Sequence, residues 1–398
     1  MPDDLHELRS YGLTDPSEAF DLWSDAGYEV IEAKRKASRE NEDQKRKPRT
    51  FNQSQATQLI GRSESYLKGK GLNDTVSESG LPRYTLKRIN ELRDQIGTRV
   101  ARPNGVKPLV LALAKLKGGV GNSTVCAHLA HYLAIQGLKV LIVDLDLQAS
   151  ASGLAAGVNP DVDIPHEETI YQVLRDDPLS LGSIIRYTYF ENVFLAPCNS
   201  VMQNLELELA NQIEMSRDHW PKDENGDPIS VYNRLSEGLE SVKENFDVIL
   251  LDCPPALGTI TVNALTAADA MINTVRANPL DRTSFAVFNS SLAALFESNP
   301  IALRYYRILI NQMDRSKSSE MEEAIIRKIY GNYVLRNNVV ESSEIKGAPN
   351  MMSTLYDLEV PVKSQQANKR ALDSMDKVFG EVFKDITGLW EMEGQENG

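Results

Sequence analysis

The sequence predicts an α/β fold: a doubly wound, mainly parallel sheet preceded by a small helical domain of the (winged) helix-turn-helix kind. Three observations carry this. Six short, nearly continuous apolar runs alternate with helical patterns between residues 109 and 311. A glycine-rich loop lies between the first of those runs and a helical segment. A locally basic block, residues 34–102, precedes them in a chain that is otherwise acidic.

The 398 residues are 41% hydrophobic and 25% charged, enough apolar material for two or three domains. The net charge of −13 excludes a protein uniformly coated in positive charge for nucleic acid. Counted in blocks, residues 1–33 carry −8, residues 34–102 carry +9 and the remainder −14. No apolar run is long enough to span a bilayer, and the start, MPDDLHELRS, has neither a basic nor an apolar region of a leader, so a soluble, cytoplasmic protein is expected. Cys126, Cys198 and Cys253 are far apart and form no C-x-x-C pair, so they read as small buried hydrophobes rather than a disulfide or zinc framework.

In chain order, residues 1–48 read as an acidic N-terminal segment and a basic linker; the stretch from Ala33 to Thr50 lacks apolar periodicity and reads as a solvated helix end or linker. Residues 49–105 follow as a helix-turn-helix domain. Phe51, Ala56, Leu59 and Ile60 fit one helical face, Gly61 makes a turn, and Ser63 caps a second short helix with Tyr66 and Leu67. Leu86, Ile89, Leu92 and Ile96 mark a third helix, and the loop SESGLPRY between them has the length of a small wing. The pattern resembles the DNA-binding heads of the MerR type. Duplex DNA would meet Ser63, Ser65, Tyr66 and Lys68 on the second helix, and Arg83 in the wing near phosphate. A short helical hairpin used purely as scaffold is the bland alternative.

The Pro- and Gly-rich ARPNGVKP stretch marks the boundary to residues 106–398. There, Leu109 to Lys115, Val140 to Asp144, Val193 to Pro197, Asp247 to Asp252, Asp269 to Val275 and Tyr306 to Asn311 are the buried strands. The chain closes with a long helix, Asn368 to Met392, whose stripe of Leu372, Met375, Phe379, Val382, Phe383, Ile386 and Trp390 reads as core packing, with a dimer surface as the lesser reading.

The first strand runs into Lys117, Gly118, Gly119, Val120, Gly121, Asn122, Ser123 and Thr124 and then into a helix. Glycines let the backbone wrap phosphates, the helix N-terminus offers amide donors, and the Ser123 hydroxyl is placed for Mg²⁺. The ordinary Walker A pattern fails twice: Leu116 stands for its first glycine and Asn122 for its lysine.

With VDLDLQAS at Val143 to Ser150 and ILLDCPPALGTITVNAL at Ile249 to Leu265, this loop resembles the deviant Walker A ATPases of the ParA and MinD group, within the P-loop NTPase fold. It is most similar to ParA-type plasmid partition proteins, including the RepA proteins of RepABC plasmids, which carry an N-terminal helix-turn-helix. The likeness is strong from about Leu109 onward, moderate over residues 50–100 and slight before that. It implies ATP/ADP and Mg²⁺ as ligands. It makes Lys117 the signature lysine that reaches into the other subunit of a nucleotide sandwich homodimer, Asp146 the acid that orients the attacking water, and Asp252 the Walker B acid. Ser123, Asp146 and Asp252 would then surround the metal. As partners it implies operator and nonspecific DNA and a ParB-like centromere-binding protein, in a nucleoid-associated protein.

Three family positions are altered: Asn122, Leu147 in the DxDPQ-like switch, and Arg276-Ala277-Asn278 in a normally proline-rich stretch. An amide donates a neutral hydrogen bond but supplies no fixed cation against the β and γ phosphates. A weak ATPase, a nucleotide binder without turnover and an engineered inactive variant all remain open. So does an operator-binding repressor that uses nucleotide only as a conformational ligand. A membrane-attached relative is disfavoured by the acidic ending ITGLWEMEGQENG, and a metabolic P-loop enzyme leaves the basic block unexplained.

Overall fold

The computed structural model describes residues 16–40, 48–67, 71–115, 117–215, 217–299 and 301–396. A helix α1 (Pro16–Glu40) comes first. A head follows, made of β1 (Phe51–Asn52), α2 (Gln53–Ile60), α3 (Glu64–Leu67), β2 (Thr75–Val76), β3 (Pro82–Tyr84) and α4 (Leu86–Ile96). Its strands pair antiparallel in the order β1-β3-β2, so residues 75–84 form a hairpin where the sequence suggested a wing.

Local chemistry fixes the head's helix ends. At α2, the Asn52 side chain accepts the Gln55 N–H at 2.9 Å while the Gln55 side chain accepts the Asn52 N–H at 3.0 Å. Gly61 ends that helix in the left-handed region at φ 72°, which a side chain would resist. Thr85 caps α4 by accepting the Arg88 N–H at 3.1 Å. The apolar residues of the head, among them Phe51, Ile60, Tyr84, Ile89 and Leu92, join the same buried cluster as Leu109, Leu111 and the closing helix Gln365–Glu396. The head therefore has no separate core.

The main sheet holds β4 (Leu109–Ala114), β5 (Val140–Asp144), β6 (Arg186–Tyr187), β7 (Val193–Ala196), β8 (Val248–Asp252), β9 (Ala270–Arg276) and β10 (Tyr305–Asn311). Their order is β10-β9-β4-β8-β5-β7-β6, parallel throughout except for β6, a short antiparallel edge. Alternate residues of β4 serve opposite faces. Leu109, Leu111 and Leu113 face the cluster shared with the head, while Val110, Ala112 and Ala114 face a second cluster with Ile170, Leu205, Leu235 and Ile260. Both faces are covered, so these strands read as continuous apolar runs rather than alternating ones. Helix α5 (Asn122–Ile135) follows β4, and α6 (Ser150–Ala156) follows β5.

Met375, Phe379, Val382, Ile386 and Trp390 of the closing helix are all buried within the chain, which supports the core-packing reading of that stripe. The three cysteines are buried and free. Among the described residues no helix is long and apolar enough to cross a membrane, and no cluster of histidine, cysteine and carboxylate side chains has a metal-holding arrangement of its own.

Candidate nucleotide site

The site lies at the carboxyl ends of β4, β8 and β5, the edge at which doubly wound sheets bind ligands. Register places its acids. Asp144 pairs with Asp252 across β5 and β8, and Leu113 pairs with Asp252 across β4 and β8, so the carboxylates gather beside the loop that leaves β4. Gly119 and Gly121 adopt φ of 79° and 80°, open only to glycine at low cost. At Gly121 space is decisive as well, because a Cβ would come within 2.7 Å of the Asn311 side chain.

Asn311 and Gln312, at the end of β10, had no role in the sequence reading. Their amides donate to the Val120 carbonyl at 2.7 Å and the Gly119 carbonyl at 3.2 Å, and so clamp the loop from outside. Val120 itself is buried, and the Thr124 carbonyl faces Nδ1 of His128 at 2.7 Å. The other His128 nitrogen accepts the Leu355 N–H at 3.0 Å, which fixes the ring as a neutral tautomer with Nδ1–H donating to Thr124. Burial holds its pKa down at about 4.

The Asn122 side chain is bound to β4, β8 and β9. Its amide donates to the Leu113 carbonyl at 2.8 Å and to Asp252 Oδ1 at 2.9 Å, and its carbonyl accepts the Thr274 hydroxyl at 3.0 Å. With both ends held and 1% of its surface exposed, it is part of the floor. Lys117 is docked within its own chain on Asp281, at 2.7 Å. Arg276 Nε and the Asn278 amide donate to the other oxygen of Asp281, each at 2.7 Å, so two residues of the altered family stretch have a task here. Burial alone would raise the Asp281 pKa, yet hydrogen bonds from Lys117, Arg276 and Asn278 bring it below the usual carboxylate range.

Asp146 accepts a hydrogen bond from Lys115 Nζ at 2.8 Å, a contact the sequence reading did not foresee. Asp144 accepts the Ser152 N–H and hydroxyl, each at 2.7 Å. Burial first, and the charge of Asp252 second, push the Asp144 pKa well up. Burial also raises that of Asp252, against the pull of Lys115, the Ser123 hydroxyl and the Asn122 amide. Oδ2 of Asp252 is buried without a well-formed hydrogen bond. A buried carboxylate oxygen with spare capacity beside a hydroxyl is a donor set of the hard, oxygen-based kind that Mg²⁺ takes, so Ser123 and Asp252 fit the ion.

In the head, Ser63, Ser65 and Tyr66 lie in the turn and in α3, while Lys68 falls outside the described residues. The Ser63 and Ser65 hydroxyls bond to each other at 2.7 Å. Arg83 lies in the hairpin, but its guanidinium donates to the Thr50 hydroxyl and carbonyl, both at 3.0 Å, and stands 3.6 Å from Glu359. In this state it is bound to its own chain rather than presented to phosphate.

A family model described as an AAA domain matches residues 109–300. A putative replication protein A of Sinorhizobium fredii is 32% identical over 364 residues, covering 86% of this chain and 87% of that protein. The chromosome partitioning protein ParA of Caulobacter vibrioides is 28% identical over 259 residues, 63% of this chain and 88% of that one. The chain belongs to the ParA-type partition ATPases. As a fold, this ParA-type chain also matches cobyrinic acid a,c-diamide synthase of Mycobacterium smegmatis, solved with an ATP analogue and magnesium. That structure is 26% identical with a TM-score of 0.50, over 61% of this chain and 91% of that one. One fold thus serves different chemistries, and the long sequence matches, not the fold, decide the family.

Proposed function

We propose that this ParA-type chain binds ATP and ADP with Mg²⁺ at residues 117–124 and works as a nucleotide-dependent homodimer that engages DNA and a ParB-like centromere-binding protein. Residues 49–105 serve as the helix-turn-helix DNA-binding domain, residues 106–398 as the ATPase domain, and residues 1–48 as the acidic segment and linker ahead of them. Autorepression at an operator fits the same head. The observation that carries the reading is the phosphate loop, with Gly119 and Gly121 in left-handed conformations and Ser123, Asp146 and Asp252 at its foot.

The roles follow from position. The loop amides and the start of α5 bind phosphate oxygens, because a helix N-terminus presents unpaired N–H groups. Ser123 and Asp252 hold the magnesium shell, and Asp146 orients the attacking water. When bound, Mg²⁺ draws charge from the phosphate oxygens. Lys117 serves the nucleotide of the partner subunit and must leave Asp281 to do so.

Asn122 sets the rate. Its amide is fixed on Leu113, Asp252 and Thr274, so the loop lacks the cation that matters most as charge redistributes toward the β-γ bridge. Loss of one such donor costs about 3 kcal/mol, on the order of a hundredfold in turnover, and less in ground-state affinity. The same observation favours a second reading, an operator-binding repressor for which nucleotide is only a conformational ligand.

Equilibrium dialysis with labelled ATP and ADP, beside steady-state hydrolysis by this chain and by Asn122→Lys, separates the two. Binding by both chains, with turnover on the order of a hundredfold higher in the variant, supports an ATPase slowed at one residue. Equal turnover would show that another group already replaces the lysine. Binding without hydrolysis in either chain would favour the repressor.

A further inference from the structure

The cation that the loop lacks has a counterpart on the strand. Lys115 directly follows β4, and its side chain is only 7% exposed. Its ammonium lies 2.8 Å from Asp146 Oδ2, on a side chain that is 6% exposed. Strand β8 runs between β4 and β5, so to reach Asp146 the lysine must pass over the end of β8, where Asp252 stands. Burial works against the charged form of Lys115, but the charges of Asp252 and Asp146 and the hydrogen bond to Asp146 outweigh it and raise its pKa. Lysine is almost never buried without a partner, and here the partners are two acids of the nucleotide site.

We propose that Lys115 is the resident cation of this site, its ammonium bound to Asp146 and close to Asp252, so that nucleotide binds with little dependence on Mg²⁺ and the ion joins Ser123 and Asp252 for hydrolysis only by displacing the ammonium. The inference rests on the nucleotide reading given above. Two features make it specific to this chain. Asn122 brings no charge to Asp252, only a neutral amide at 2.9 Å, whereas Lys115 acts on that carboxylate with a full positive charge. A divalent ion seated on Ser123 and Asp252 would also stand close to a buried ammonium. At such range like charges repel strongly where water cannot screen them, and the lysine must first be displaced from Asp146.

The test uses the full chain and a fluorescent mant-ADP probe, titrated in MgCl₂ and in EDTA. For the unaltered chain the two dissociation constants should agree within about threefold, whereas in Lys115→Gln the magnesium value should be more than about tenfold tighter. Lys115→Arg keeps the charge and should behave as the unaltered chain does. Mn²⁺ alone, followed by water proton relaxation, should bind Lys115→Gln more tightly than the unaltered chain. A change of more than about tenfold on removing Mg²⁺ from the unaltered chain would overturn the inference with no variant needed, even if Lys115→Gln does not fold. Equal Mn²⁺ affinity in folded Lys115→Gln and the unaltered chain would overturn it too. If mant-ADP binds none of these chains, the nucleotide reading falls and this inference with it.

Discussion

The head and the phosphate loop use positive charge in opposite ways. In the head, arginines are tied to main-chain carbonyls: Arg93 to Leu59 at 2.7 Å and to Ile135 at 2.8 Å, Arg88 to Leu72 at 2.9 Å, Arg99 to Gly137 at 2.9 Å, Arg83 to Thr50 at 3.0 Å and Arg49 to Tyr356 at 3.1 Å. At the sheet edge, lysines are tied to carboxylates: Lys115 to Asp146 and Lys117 to Asp281. Arg83, Arg88 and Arg99 also meet the carboxylates of Glu359, Glu91 and Asp94, but the carbonyl bonds anchor them to the fold, so the first set is structural. A carboxylate can exchange one cation for another, so the second set can be rearranged by a ligand. The +9 of residues 34–102 therefore overstates the charge free to meet phosphate, and availability has to be read from partners rather than from counting.

Removing an arginine clip gives the largest expected effect. Arg93→Ala leaves the Leu59 and Ile135 carbonyls and the Asn90 side chain without their donor in a buried setting, and should cost about 4 kcal/mol of stability in urea unfolding. A loss near zero would mean that the head is not held by this residue and that the contrast with the lysines fails.

Next is the pH dependence of α5, the helix that joins the two regions. His128 is neutral in the fold with a pKa of about 4 against an ordinary 6.5. The folded state therefore binds fewer protons than the unfolded one below pH 6.5. Its contribution is fully present above that pH and is lost as pH falls toward 4, reaching about 3 kcal/mol. Chemical denaturation at pH 7 and pH 4.5 should show this loss in the unaltered chain and a smaller one in His128→Asn. Identical pH dependence in both would refute the assignment.

The smallest effect sharpens the lysine side. Asp281→Asn should cost only about 1 kcal/mol, because the Lys117 side chain is 43% exposed and water screens the pair, while Arg276 and Asn278 remain near the new amide. Labelling of Lys117 by an amine-reactive reagent should become severalfold faster. An unchanged labelling rate would show that Asp281 does not hold it.

The six parallel strands, the loop and the acids at the strand ends were legible because burial on both faces leaves a continuous apolar run with a sharp polar end. Other parts left no such mark. Strand β6 is two residues, Arg186 and Tyr187, at an exposed edge, too short for any periodicity. Asn311 and Gln312 clamp the loop from a strand nearly 200 residues further along the chain. Lys115 reads as an ordinary charged strand end, since whether its ammonium turns to solvent or inward to Asp146 is decided by neighbouring strands. Asn122 was legible as a missing cation, but its placement in the floor was not, because Thr274 and Asp252 come from other strands.

Helix α5 begins at the phosphate loop, and the carbonyls at its far end, Ile135 and Gly137, are gripped by Arg93 and Arg99 of the head. It is a rod of 14 residues, about 21 Å long, with one end in each region. Along its flank Tyr132 packs on Phe379 of the closing helix, with ring centroids 5.8 Å apart. Head and phosphate loop thus share one uninterrupted helix, and a substitution inside it touches both regions at once.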